Sequence, residues 1–189
     1  MIETIILAFV VAKIKGYKLK PLFKSWTIYP ILAFAMMYVI FEVMVFMDNY
    51  SLIKYTNVFK FLYLSIFLVL IIKYQLYFSA IIGSVFIFIG SILNNIAIAS
   101  NNSKMPVFPS VSYVTGYVKA SSFHGIDNLH ILGGQSTKLK FLTDIVDVGY
   151  SIMSIGDIFI RLFVFIIIYN AIKHINKAKM QVVEEKEKC

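Results

Sequence analysis

Cysteine is nearly missing from this chain: Cys189 is the single one in 189 residues, which excludes an intrachain disulfide and any Cys-x-x-Cys metal or redox pair. Charge is scarce as well, with Asp, Glu, Lys and Arg making up 15 % where soluble domains carry about 25 %. The short signatures of common catalytic sites are absent too; there is no GxSxG, HExxH or GxxxxGK[ST]. Apolar residues fill the space instead, at 59 % of the chain with 17 Phe and a mean hydropathy of +0.80. That composition lies outside the soluble range and reads as an integral membrane protein. The formal charge of +8 does not point to nucleic acid, because the lysines cluster beside apolar segments rather than along one basic face.

Hydrophobic runs of span length set the expected fold, an all-α polytopic transmembrane bundle of about five spans in a single domain, 1–189. Residues 2–19 form the first. Glu3 stands where a signal peptide needs positive charge and Lys13 where small residues would mark cleavage, so the segment is expected to stay. It is short, about 18 Å of apolar helix against a hydrocarbon core of ~30 Å. Residues 26–47 carry Trp26 and Tyr29 at one end, where amphipathic rings favour the headgroup level, and Pro30 in the first turn, where proline is tolerated. The apolar run from Val58 to Ala99 is too long for one crossing and fits two, 58–75 and 76–99, around the polar turn Lys73-Tyr74-Gln75. Residues 152–172 complete the set, followed by a tail, 173–189.

Lysine placement gives the orientation. Five lysines lie between Lys13 and Lys24, Lys73 sits in the hairpin turn and five more follow Ala171. Alternating spans put all of them on one side, which the positive-inside bias makes the cytoplasm. The C-terminus is then cytoplasmic, the N-terminus outside, and the connection 100–151 external.

That connection is too long for an idle loop and too apolar to stay solvated, with Met105, Val107, Phe108, Leu129, Ile131 and Leu142 among its residues. It is expected to pack over the bundle as an ordered lid. Lys138 to Tyr150 reads as an interfacial amphipathic helix, with Leu139, Leu142 and Val146 on one face. Gly133-Gly134-Gln135-Ser136-Thr137 reads as a turn. His124, His130, Asp144 and Asp147 are oxygen and nitrogen donors of the kind divalent ions take, but their spacing matches no metal pattern and no metal is assigned. The sequence names no cofactor.

Polar residues inside apolar spans carry the functional signal. Asp157 and Arg161, at i and i+4, can pair on one helix face and lessen each other's desolvation cost. Asn94 and Asn95 near the outer end of the fourth span are candidate interhelical glue or cavity residues, and Glu42 lies at similar depth. Gly83, Ser84, Gly90 and Ser91 repeat small residues at a spacing of seven, which permits close helix approach.

Asn94-Asn95, Asn101-Asn102-Ser103-Lys104-Met105-Pro106-Val107, His130, Thr137-Lys138-Leu139, Phe141-Leu142-Thr143-Asp144-Ile145 and Ser154-Ile155-Gly156-Asp157 together resemble the bacterial membrane family catalogued as domain of unknown function 5317. Members usually carry a glycine where Asn102 or Ser103 stands here, and often a small residue in place of Thr143. The resemblance implies a small multi-pass protein whose signature residues lie on the outer face, and it implies no activity.

The candidate ligand-binding residues are accordingly Asn94, Asn95, Asn101, Met105, Pro106, His130, Asp144, Asp157 and Arg161. The leading expectation is a non-enzymatic binding or accessory subunit in the cell membrane, with the lipid bilayer as surroundings and a partner membrane subunit or a homo-oligomer as candidate associates. A transporter is the first alternative, although transport usually needs polar groups through the midplane. An enzyme on lipid-linked substrates is the second, with Asp144 or His130 as base and Arg161 gripping phosphate.

Overall fold

A computed structural model describes residues 2–47, 49, 51–52, 55–119 and 129–187. The chain is mostly helical. In order it forms α1 (Ile2–Ile14), the short α2 (Lys20–Phe23), α3 (Ile28–Phe46), α4 (Thr56–Ser65), α5 (Leu68–Lys73) and α6 (Tyr77–Ser100). A small lid follows, made of β1 (Met105–Val107), α7 (Val111–Thr115), β2 (His130–Leu132), a 3-10 turn at Lys140–Leu142, β3 (Val146–Asp147) and β4 (Ile152–Met153), before α8 (Ile155–Glu187) closes the chain.

Helix α8 is the central element. Its Phe163, Val164, Ile167, Ile168, Ala171 and Ile172 are buried against Ile5, Ala8 and Ala12 of α1, Ile31 and Ala35 of α3, and Phe67, Leu70 and Ile71 around α5. In hydrocarbon there is no hydrophobic drive between helices, so the bundle depends on close packing, and α6 meets α8 through glycines. A Cβ on Gly83 would stand 2.7 Å from the Phe163 ring, and one on Gly90 would run into the Gly156 carbonyl and stand 2.9 Å from Ile160 Cγ1. The two glycines thus face the crossing, while Ser84 is exposed.

Among the described residues, three helices are long and apolar enough to cross a bilayer: Ile28–Phe46, Tyr77–Ser100 and Ile155–Ala178. Of the about five spans expected, the segments 2–19 and 58–75 are not among these three, and the helix bounds differ from the expected ones in detail. Helix α1 stops at Ile14 after 13 residues, about 20 Å at ~1.5 Å per residue, because the backbone turns left-handed at Gly16, φ +80°. The 58–75 segment is two helices rather than one. At the join Phe67 N–H bonds to the Leu64 carbonyl at 3.3 Å and Val69 N–H to that of Ile66 at 3.2 Å, a tightened turn of i→i+3 type. The hairpin turn falls where the sequence placed it, with Gln75 at φ +51°. The last helix starts at Ile155 rather than Ile152, and it continues through Glu187 across most of the expected tail.

One end of the bundle gathers the basic segments. Tyr74 of the hairpin turn donates to Ser25 Oγ at 2.7 Å, its ring lies 6.0 Å from that of His174, and Asn176 of α8 exchanges hydrogen bonds with the Lys18 backbone at 2.9 and 3.0 Å. The lid occupies the other end.

Within the lid, the amphipathic helix expected over Lys138 to Tyr150 does not form. Leu139 and Gly149 adopt positive φ, +47° and +87°, and between them the chain makes the 3-10 turn and the first strand of a two-stranded antiparallel hairpin, Val146↔Met153 and Asp147↔Ile152. The reason lies in Asp147. Its carboxylate accepts from Ser110 N at 2.7 Å, Ser112 N at 2.8 Å, Ser112 Oγ at 2.5 Å and Gly149 N at 2.8 Å, contacts that a helix would forfeit. Burial alone would raise this acid, but the donors from Ser112, Ser110 and Gly149 outweigh it and hold it down at about 2. Asn102 and Ser103 lie at φ +55° and +59°, the region where glycine is free of Cβ strain.

Candidate functional site

Strand β1 organises the lid around the bundle end. It pairs in parallel with β2, Met105 opposite His130, and on its other side Asp144 N–H bonds to the Pro106 carbonyl at 3.1 Å and Phe108 N–H to the Asp144 carbonyl at 2.8 Å. Three segments distant in sequence are thereby drawn together. His130 Nε2 stands 3.7 Å from Asp144 Oδ2. Asn101 fastens the lid to α6, its Nδ2 donating to the Ala97 and Lys138 carbonyls at 2.8 and 2.9 Å and its Oδ1 accepting from Lys138 N at 2.9 Å.

Under this lid lies a cavity of about 350 Å³. Its polar wall comprises Glu42 of α3, Lys60 of α4, Asn94 of α6, His130 and Asp144 of the lid, and Asp157 of α8, and apolar groups such as Phe41, Val45, Ile98 and Met105 complete it. A second polar unit sits where α8 begins. Asn94 Nδ2 donates to Asp157 Oδ1 at 3.2 Å, Ser154 Oγ donates to Asn94 Oδ1 at 2.7 Å, and Ser154 Oγ in turn accepts from Asp157 N at 2.9 Å. Ser154 therefore caps α8, and an acid in its first turn suits the positive helix end.

Asp144 is 5 % exposed, and its Oδ1 has no hydrogen-bond partner among the described residues. Burial first, then the neighbouring Asp157 charge, push its carboxyl up to about 7, against a smaller downward pull from His130 and Lys60.

Five of the nine sequence candidates thus line the cavity: Asn94, Met105, His130, Asp144 and Asp157. The other four are placed elsewhere. Asn95 is exposed on α6, Asn101 and Pro106 hold backbone, and Arg161 Nη1 pairs with Glu3 Oε2 of α1 at 3.3 Å. The expected pairing of Asp157 with Arg161 is therefore replaced by two separate attachments, because each finds a partner on a neighbouring helix. Tyr150 of the lid donates to the same Glu3, at 2.9 Å. Lys60, Tyr38 and Tyr117 join the cavity without a sequence signal, since nothing local marks a lysine or tyrosine near a span end as inward-facing. Of the weak metal candidates, His124 lies outside the described residues and Asp147 is occupied within the lid. Among the described residues no three His, Cys, Asp or Glu side chains converge on one point.

A helical bundle with span-length apolar helices, a β-paired lid and a polar cavity beneath it has the character of a membrane protein. The chain belongs to the family described as Family of unknown function (DUF5317), whose model matches residues 19–169, a stretch that contains the whole cavity. Comparison with curated proteins and with solved structures gave no match.

Proposed function

We propose that this is a multi-pass protein of the cell membrane that binds a small ligand under an external lid, acting as a binding or accessory subunit. The observation that carries the reading is the lid-end cavity, whose ~350 Å³ lies in the usual range of ligand sites, about 300–1,000 Å³, with an apolar lining and a few converging polar groups. Five crossings are part of the proposal: α4 and α5 act as one bent span, and α1 crosses with its exposed Ile6, Leu7, Val10 and Ile14 toward lipid and its lysines reaching the interface. The lysine-rich end faces the cytoplasm by the positive-inside bias. Asn170, an uncharged polar residue within the apolar stretch 162–172 of α8, donates back to the Ile166 carbonyl of its own helix at 2.9 Å, which favours binding over passage through the midplane.

The test uses the full chain purified in maltoside detergent and a panel of six-carbon amines, alcohols, acids and sugars, read by thermal melting. Members of the panel are expected to raise Tm saturably, and Val45→Trp, which fills the cavity from a half-buried position, is expected to abolish the shifts without lowering the basal Tm by more than a few degrees. A panel without effect, or shifts that persist unchanged in Val45→Trp, removes the reading.

A further inference from the structure

Three carboxylates on the wall of the cavity bear on the charge of what it holds. Among the described residues, Glu42, Asp144 and Asp157 stand there against Lys60 and His130. The Asp157 carboxylate accepts from Asn94 Nδ2 and from Ser154 N at the start of α8. The other two acids retain acceptor capacity: Asp144 Oδ1 and Glu42 Oε1 are both buried without a hydrogen-bond partner among the described residues, and Asp144 as a whole is 5 % exposed. A buried carboxylate oxygen with no donor costs free energy that a donor entering the cavity would recover. An anion placed here would face three acids against Lys60 and His130, and a neutral alcohol would bring a donor without the positive charge that offsets them.

Size and lining narrow the class further. The three acids do not converge as ligands of one ion, and the space is that of a molecule rather than of a bare metal. The rings of Tyr38, Phe41 and Tyr117 also line the cavity, and aromatic faces attract organic cations. Val45 and Ile98 provide an apolar surface beside them.

We propose that the cavity binds a small organic cation, a primary ammonium carried on a short apolar body, with Glu42 and Asp144 as its acceptors. This rests on the reading of the cavity as a ligand site and adds the charge of the ligand. An ammonium has three donors and no acceptor, so it can satisfy an orphaned carboxylate oxygen while its charge compensates the acids of the lining.

The deciding experiment compares n-hexylammonium, n-hexanol and n-hexanoate as ligands of the full chain in maltoside detergent at pH 8, by thermal shift and by isothermal titration. Hexylammonium is expected to bind saturably, at least tenfold more tightly than hexanol, with no binding of hexanoate. Glu42→Gln and Asp144→Asn are each expected to weaken hexylammonium at least tenfold while leaving hexanol unchanged; two variants are used so that one failing to fold still leaves a measurement. Equal affinity for hexanol and hexylammonium, or unchanged hexylammonium affinity in both variants, overturns the cation assignment and leaves ligand binding standing. Silence of all three probes together with the wider panel overturns both. Added short-chain phosphatidylethanolamine separates the sources: competition with hexylammonium assigns the site to a lipid headgroup, its absence to a soluble amine, and either result supports the ammonium site.

Discussion

Asp144 shows how a single residue acquires its properties from distant chain. Asp147 lies only three residues on, yet the environments of the two acids push them in opposite directions. Asp147 collects backbone and hydroxyl donors and stays ionised, whereas Asp144 is enclosed beside Asp157 of α8, with His130 of β2, Lys60 of α4 and Glu42 of α3 on the same cavity wall. Its carboxyl is raised from 3.8 to about 7. Between those values the folded protein keeps a proton that the unfolded chain has released, so this group makes stability fall as pH rises from about 4 to about 7, with no further change above. Asp144→Asn removes that dependence. Its Tm relative to the native chain is therefore expected to increase from pH 5 to pH 8 in the absence of ligand, and parallel Tm curves across that range would disprove the assignment. The Asp157–Arg161 spacing was legible in the sequence, but its use was not: i,i+4 proximity permits a pair, and the neighbouring helices offered each residue a better-placed partner in Asn94 and Glu3.

At the scale of elements, the α6–α8 crossing decides whether the cavity has a floor. Gly90 and Gly156 let the two backbones touch, and a Cβ on Gly156 would collide with the Asn94 side chain and stand 2.5 Å from the Gly90 carbonyl. Gly90→Leu is expected to cost about 1–3 kcal/mol through overpacking and to push Asn94 away from Asp157, lowering Tm together with ligand response. Ser84→Leu, on the exposed side of the same helix, is the control and is expected to leave both intact. Equal loss in the two variants would show that the crossing is not what holds the helices. The small-residue spacing marked this interface in advance because only residues without bulk allow such approach. The lid was less legible. Apolar periodicity over Lys138 to Tyr150 favours a helix locally, and long-range hydrogen bonds to Asp147 and the β1 pairing of Asp144 outweigh it.

For the whole molecule the central question is sidedness. Contacts place the segments around Lys18, Tyr74 and Asn176 together at one end and the cavity at the other. In a Cys189→Ser background, Lys138→Cys is expected to react with a membrane-impermeant maleimide on intact cells, and Lys173→Cys only after permeabilisation. The reverse pattern would invert the topology, and reaction of both on intact cells would break the alternation of spans.

Composition, run length and lysine placement determined by themselves that this chain is a helical membrane protein with one basic end and one elaborated end. These properties arise from how each segment partitions between water and hydrocarbon, which depends on local residues alone. Tertiary structure decided the rest: that Lys138 to Tyr150 bends into a turn and a hairpin, that Arg161 reaches Glu3, and that Glu42, Lys60, His130, Asp144 and Asp157 share one cavity. Each depends on hydrogen bonds and packing between segments far apart in the chain, and no window of neighbouring residues contains both partners.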